Sequence, residues 1–284
     1  MSTIGSASPG TTPAPEPVKL PSALSVGVAR GRLEIKQYFR ERDSVVFTFA
    51  LPVVFLALFG VIFGSDTVVG TTTYSQLLVP SMLTLGITST TLVSIGIWIA
   101  VDRDNGTLRR LTTTPMPRIS YFLGKIFMIV TIGLIESAIL ITAGVLLYGL
   151  DLPATPGKWL TLAWVIVLAF AVCGTLGVAL SSLPRSSRSA AAVINFPVLI
   201  LQFLSGIFIP FNQLPDWLYT IGAFFPLKWI AQGLRAAFLP DEMAVIEPAH
   251  SFELGRVALV LFAWLVVAGV LCLTTFRWKR RGEV

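Results

Sequence analysis

The 284 residues are 54% hydrophobic and only 13% charged, with a mean hydropathy of +0.79. A water-soluble domain carries about 25% charged residues, and half that share cannot cover a soluble surface of this size, so an ordinary soluble enzyme and a disordered chain are both excluded. The net charge of +6 would suggest nucleic acid in a soluble protein, but in a chain this apolar it reports orientation across a bilayer.

In chain order, residues 1–21 are rich in Ser, Thr, Pro and Gly without an apolar run. They read as a disordered cytoplasmic tail, with no cleavable signal peptide. A single transmembrane domain is expected over 22–284. It begins with an amphipathic helix over 22–43, where Leu24, Val28, Ile35, Tyr38 and Phe39 share one face and Arg32, Lys36 and Arg40 form a neighbouring stripe. This pattern suits a helix lying in the membrane interface, or a cytosolic helix docking on a partner.

A helix needs about 20 apolar residues to cross the hydrocarbon core. Six such runs occur: Val45–Phe63, Leu77–Val101, Ile126–Leu150, Trp159–Leu180, Ala190–Phe211 and Val257–Phe276. Alternating strands of the barrel type are absent from the pattern, so the expected fold is an all-α membrane protein with six transmembrane helices. An even number of spans puts both termini on one side. Of the 21 Lys and Arg residues, 17 fall on that side, leaving only Lys158, Lys228, Arg235 and Arg256 on the other. The positive-inside rule then predicts cytoplasmic termini in a multi-pass protein of the plasma (inner) membrane. The acidic residues Asp66, Asp151, Asp216, Asp241, Glu242, Glu247 and Glu253 all fall outside.

Between spans two and three, the stretch from Asp102 to Leu111 reads as a short amphipathic cytoplasmic helix, with Leu108 and Leu111 one turn apart among Arg103, Arg109 and Arg110. Pro115 and Pro117 stop it. It either fits a pocket on another protein or is a solvated loop whose basic residues set topology. The last external segment, about 212–253, is long and still apolar, and is interrupted by Pro215, Gly222, Pro226 and Gly233. Two short re-entrant or interfacial helices are expected there, with Trp217, Tyr219 and Trp229 at headgroup level.

Polar residues inside the spans are few. Span two carries Ser81, Thr84, Thr88 and Thr91 on one helical face, and span five carries Asn195 and Gln202 seven apart. Such stripes either pack helices together or line a path for an amphipathic solute. Glu136 is the carboxylate near the middle of a span. It costs at least about 2.5–3.5 kcal/mol there, so it is either a pathway or gating group or one end of an interhelical hydrogen bond. Gly60-x-x-x-Gly64 closes span one and permits close helix approach. Cys173 and Cys272 lie within spans and read as packed thiols.

The sequence contains no G-x-x-x-x-G-K-[ST], no G-x-S-x-G and no H-E-x-x-H, and His250 is the single histidine. No catalytic residue and no metal site are therefore assigned, and an enzyme is not expected.

Two stretches carry a family resemblance. The first is Asp102-Arg103-Asp104-Asn105-Gly106-Thr107-Leu108-Arg109-Arg110-Leu111, followed by Thr114-Pro115. The second is Ser205-Gly206-Ile207-Phe208-Ile209-Pro210, followed by Leu214-Pro215, Pro226-Leu227 and Gly233-Leu234-Arg235. Together with the layout of spans, they resemble the membrane subunit of ABC-2 type transporters, in particular drug exporters of the daunorubicin-resistance type. Arg109 stands where a carboxylate is common in that family.

The resemblance implies that Asp102–Leu111 is a coupling helix seated in a cleft of a separate ATP-binding subunit. Gly106, Thr107, Leu108 and Leu111 would form the contact core, flanked by Arg103, Arg109 and Arg110. It further implies two ATP-binding subunits that hold the ATP and magnesium, no cofactor on this chain, and a second permease subunit, identical or a close paralogue. Spans two and five would face each other across the pathway, with Ser81, Thr84, Thr88, Thr91, Glu136, Asn195 and Gln202 as pathway candidates. Lipid is the surrounding partner, and nucleic acid is not one. The expected function is ATP-driven export of an amphipathic drug, antibiotic or lipid-like substrate. The rivals are a proton-coupled carrier using Glu136 and a non-transporting membrane scaffold.

Overall fold

The computed structural model describes residues 22–63, 67–69, 72–208 and 215–276. The tail 1–21, Gly64, Asp66, the motif residues Ile209, Pro210 and Leu214, and the basic C-terminus from Arg277 lie outside the described residues, as does the side chain of Asp216. Among the described residues six helices are long and apolar enough to cross a membrane, one over each of the six apolar runs. They are α2 (Arg42–Phe63), the continuous helix Tyr74–Asp104, α6 (Arg118–Tyr148), α7 (Pro156–Leu180), α8 (Ser187–Leu204) and α11 (Leu254–Thr275). The second span consists of α3 (Tyr74–Ile87), a π-helical turn (Thr88–Val93) and α4 (Ser94–Asp104). Between spans one and two a small antiparallel hairpin pairs β1 (Thr67–Val69) with β2 (Thr72–Thr73). Its threonines and valines favour extended backbone, but a hairpin this short leaves no periodicity to read.

The second span is the centre of the bundle. Leu77 to Ile87 are all buried, against α2, α6 and α10 (Pro226–Phe238). The core joins Met82, Leu83 and Leu92 of this span to Val165 and Val172 of α7, Ile194 of α8 and Ile230 of α10. By contrast α2, α8 and α11 bury little of their apolar surface within the chain. A second cluster at the basic end gathers Tyr38, Ile95, Ile99, Leu108, Tyr121 and Ile129. Phe276 meets Phe122 there, with ring centroids 5.1 Å apart. The end of α11 thus lies at the same end of the bundle as α1 (Ala23–Arg40).

Helix α1 docks by a face that only partly overlaps the one its apolar residues suggested, sharing Tyr38 with it. It buries Gly27, Gly31, Glu34 and Tyr38 against α6, while Leu24, Phe39 and the stripe Arg32, Lys36 and Arg40 stay exposed. The reason is close backbone approach: a methyl group at Gly31 would fall 2.6 Å from Phe127 Cδ1, and one at Gly27 2.7 Å from Leu123 Cβ. Gly60 serves a similar purpose in span one, where it makes room for Tyr148, whose hydroxyl donates to the carbonyl of Leu56 at 3.1 Å.

Candidate functional site

Helices α2, α3–α4 and α8 enclose a lateral groove of about 980 Å³. Its wall is aromatic, with Phe47, Phe55, Phe59, Phe63, Phe203 and Phe208, and it carries the uncharged polar groups Thr48, Ser89, Ser94, Asn195 and Gln202. Among the described residues no charged side chain lines it. Phe208 packs on Phe203, Phe55 and Phe59 at centroid distances of 4.8, 6.3 and 6.4 Å. A groove of this size and chemistry suits an amphipathic molecule with a ring system and neutral polar groups.

The predicted pathway residues divide. Asn195 and Gln202 are at the groove. Ser81, Thr84, Thr88 and Thr91 are not: all four are buried, and each hydroxyl donates to the carbonyl four residues earlier, at Leu77, Pro80, Thr84 and Ile87. The stripe faces the packed side of span two. Ser89 and Ser94, which do reach the groove, sit five residues apart, a spacing that belongs to the π-turn and that a 3.6-residue search does not select. Glu136 is 2% exposed and lies behind the turn, away from the groove, accepting a hydrogen bond from the Thr90 hydroxyl.

The predicted coupling helix over 102–111 is also rearranged. Asp102, Arg103 and Asp104 are the last turn of α4. Asn105 and Gly106 break the helix, and α5 runs only from Thr107 to Thr112. Gly106 has φ +72°, in the left-handed region that a side chain resists, and it sets the break. Each charge before the break fastens a different element. The Asp102 carboxylate accepts from the Tyr121 hydroxyl at 2.9 Å and pairs with Lys125 Nζ at 3.2 Å. The Arg103 guanidinium donates to the carbonyls of Ser181 and Pro184 in the α7–α8 connection, at 2.5 and 3.3 Å. The Asp104 carboxylate accepts from Ser187 N and Oγ at 2.9 and 2.8 Å, at the amino end of α8, where the helix dipole favours an anion.

Leu108 corrects the expected partner-facing core. It is fully buried in the protein's own cluster with Tyr121 and Ile99, because a one-turn amphipathic helix lays its leucine on the nearest apolar surface, here that of its own bundle. The exposed face of α5 is Arg109, Arg110, Thr112 and Thr113, with Gly106, Thr107 and Leu111 partly covered. Leu108→Ala is expected to lower stability by about 2–5 kcal/mol, the range for truncating a buried leucine, read as a fall in thermal unfolding temperature in detergent. An unchanged temperature would remove Leu108 from the core.

At the opposite end of the bundle lies a constellation the sequence reading missed. Helix α10 is buried along its whole length, and its Lys228, Gln232 and Arg235 go with it. Lys228 donates to Gln232 Oε1 and lies 3.6 Å from the Trp229 ring centroid, while Gln232 Nε2 donates to Phe252 O at 2.8 Å. Arg235 pairs with buried Glu247 at 2.6 Å. Trp229, expected at headgroup level, is instead buried, with its indole N–H on Ala223 O at 2.7 Å; Trp217 on α9 (Asp216–Phe224) is exposed. The only sequence signal was two cations, Lys228 and Arg235, in the otherwise mostly apolar run 226–238.

Burial pushes the Lys228 ammonium down to about 8, against about 10.4 in an unfolded chain. The unfolded state therefore binds more protons across that interval, so stability should rise with pH between about 8 and about 10.4. Lys228→Met should flatten that rise in thermal unfolding scans, and an equal slope in both proteins would refute the assignment.

The described residues thus form a bundle of six apolar helices, with a lateral groove between α2, α3–α4 and α8 that no described charged side chain lines. The chain belongs to the ABC-2 type transporter family, whose model matches residues 30–239. It is similar to the putative transport permease YvfS of Bacillus subtilis (strain 168), 22% identical over 203 residues, covering 70% of this chain and 80% of that one. It is also similar to the probable multidrug ABC transporter permease YbhR of Escherichia coli (strain K12), 21% identical over 168 residues, covering 59% of this chain and 45% of YbhR, less than half its length.

Proposed function

We propose that this permease couples ATP hydrolysis on a separate ATP-binding subunit to outward movement of an amphipathic, ring-bearing substrate through the groove between α2, α3–α4 and α8. The observation that carries the reading is the junction at Asp102–Asp104. It joins the exposed basic surface of α5 to α6 through Asp102, and to the amino end of α8 through Asp104. Helix α8 contributes Asn195, Val198, Gln202 and Phe203 to the groove. A push on α5 therefore reaches the groove wall through hydrogen-bonded contacts rather than through a flexible loop.

The basic end faces the cytoplasm of the inner membrane, as the distribution of Lys and Arg requires. There α1 lies along the interface, with Leu24 and Phe39 toward acyl chains and Arg32, Lys36 and Arg40 toward headgroups. Two ATP-binding subunits carry the ATP and magnesium, and a second permease, a copy or close paralogue, covers the exposed faces of α2 and α8. The position of Glu136 behind the π-turn favours this reading over a proton-coupled carrier that would use it in the path.

The test is purification of the tagged chain from its own membrane, followed by reconstitution in liposomes with Nile red, a neutral aromatic amphiphile. A chain bearing a phosphate-binding loop should co-purify, and its ATPase should be stimulated by the dye. Purification without an ATPase, or an ATPase indifferent to Nile red and to other neutral amphiphiles, would overturn the reading.

A further inference from the structure

Span two is interrupted at mid-length by the π-turn Thr88–Val93. Ser94 marks the altered register twice: its backbone N–H and its hydroxyl both donate to the carbonyl of Ser89, five residues back, the hydroxyl at 2.9 Å. A π-turn holds one residue more than the α-helical turn it replaces, is the rarer form, and occurs often at functional sites. Something must hold it.

The hydrogen bonds of the turn's own threonines show what does. Thr88 and Thr91 give their hydroxyls to the carbonyls four residues earlier on their own helix. Thr90 gives its hydroxyl to Glu136 Oε2 on α6. The carboxyl reaches that far because residue 86 is glycine: a methyl there would fall 2.7 Å from Glu136 Oε1. Glu136 is 2% exposed, and Oε1 has no hydrogen-bond partner among the described residues. On the other side of the same turn, Ser89, Val93 and Ser94 line the groove. Below it, α4 runs to Asp102–Asp104, just ahead of the break at Gly106 that precedes α5.

We infer that Glu136 is a positioning residue for the substrate groove: by holding Thr90 it keeps span two in its π register and so aims Ser89 and Ser94 into the groove. This rests on the groove being the substrate site. Removing one residue from the turn rotates α3 against α4 by about 100° and shifts them by about 1.5 Å along the axis, as helix geometry dictates. A register change of that size turns the groove face of one half of span two away while leaving the other half fastened at Asp102–Asp104. A buried carboxylate whose only task was to satisfy Thr90 would be unnecessary, since Thr88 and Thr91 are satisfied without one.

The experiment uses the full chain in liposomes, with Cys173→Ala, Cys272→Ala and a reporter Ser89→Cys, whose carbonyl rather than side chain holds the turn. Modification of the reporter by a small permeant methanethiosulfonate is followed with time. Glu136→Ala and Thr90→Val should each slow it about tenfold, the change in population that losing one buried hydrogen bond can produce. Glu136→Gln, which keeps a carbonyl oxygen for Thr90, should restore the rate to within about twofold. A structural role alone would lower thermal stability and leave the rate unchanged in both variants; that result overturns the proposal. Should Glu136→Ala fail to fold, Thr90→Val decides by itself, an unchanged rate again overturning it. Nile red added to the reporter protein with Glu136 and Thr90 intact tests the groove separately: protection of Ser89→Cys supports the substrate site. Without protection the substrate reading falls, and with it the role proposed for Glu136 toward substrate, whereas the labelling ratios still report the register.

Discussion

If α5 is the contact for the proposed ATP-binding subunit, replacing Arg109 and Arg110 together by glutamate should weaken its binding about 100-fold and abolish substrate-stimulated ATPase activity, since like-charge juxtaposition at an interface costs several kcal/mol. The chain itself should fold as before, because both side chains are exposed on α5 and neither belongs to the apolar cluster beneath it. The effect should also shrink with added salt, as for any interaction between solvent-accessible charges. Affinity measured on the purified complex, with thermal unfolding of the free permease as control, checks both halves. Equal affinity in the double variant would place the energy-coupling contact elsewhere. The contrast with Leu108→Ala is diagnostic, since that change should act on stability first.

The second large effect is expected at Lys125. Its ammonium lies 3.2 Å from Glu34 of α1 and 3.2 Å from Asp102 of α4, and all three groups are mostly buried. Arg30 also holds Glu34 at 2.9 Å, and its guanidinium lies 4.7 Å from the Tyr121 ring centroid. Lys125→Ala removes the cation shared by the two carboxylates. Breaking a buried pair from one side costs about 3–5 kcal/mol; the charge left without a cation here is Asp102, since Arg30 still holds Glu34. The triple variant Glu34→Gln, Lys125→Met, Asp102→Asn removes these three charges together, leaving Arg30 on the Tyr121 ring, and should lose less stability than Lys125→Ala. Thermal unfolding in detergent distinguishes the two, and equal stability of Lys125→Ala and wild type would show that the network is not formed. If the triple variant folds yet no longer couples ATPase activity to dye transport, the network transmits motion from α5 to α1 and α6 as well as holding them.

Much of the molecule was legible in its sequence because a bilayer imposes simple rules. Each of the six runs predicted from apolar length falls on a helix long enough to span, though not with its predicted ends: the third begins eight residues earlier, at Arg118, and the fifth ends at Leu204 rather than Phe211. Asn195 and Gln202 were found at helical spacing on α8, and both line the groove. Ser81, Thr84, Thr88 and Thr91 were found by the same rule on span two and lie on its packed side, their hydroxyls bonded back to their own helix, an arrangement that spacing alone does not separate from a stripe lining a path. Nothing in a 3.6-residue pattern announces a π-turn. The junction was half legible: the cluster of charges from Asp102 to Arg110 was conspicuous, but Gly106 divides it. Three residues become anchors to α6 and α8, and two become surface.

By itself the sequence determined the solvent, the number of spans, the asymmetry of charge between the two ends and the family motifs. Each of these depends only on local composition: an unbroken run of apolar residues long enough to satisfy its own backbone in lipid, and the sign of the loops between runs. Only the tertiary structure decided which apolar faces meet protein and which are left exposed, that α10 with Lys228, Gln232 and Arg235 goes into the interior, and that Glu136 stands behind Thr90. The physical reason is that lipid tails are as apolar as leucine. A position packed on another helix and a position facing acyl chains therefore look alike in hydropathy, and they differ only in the neighbours that folding brings.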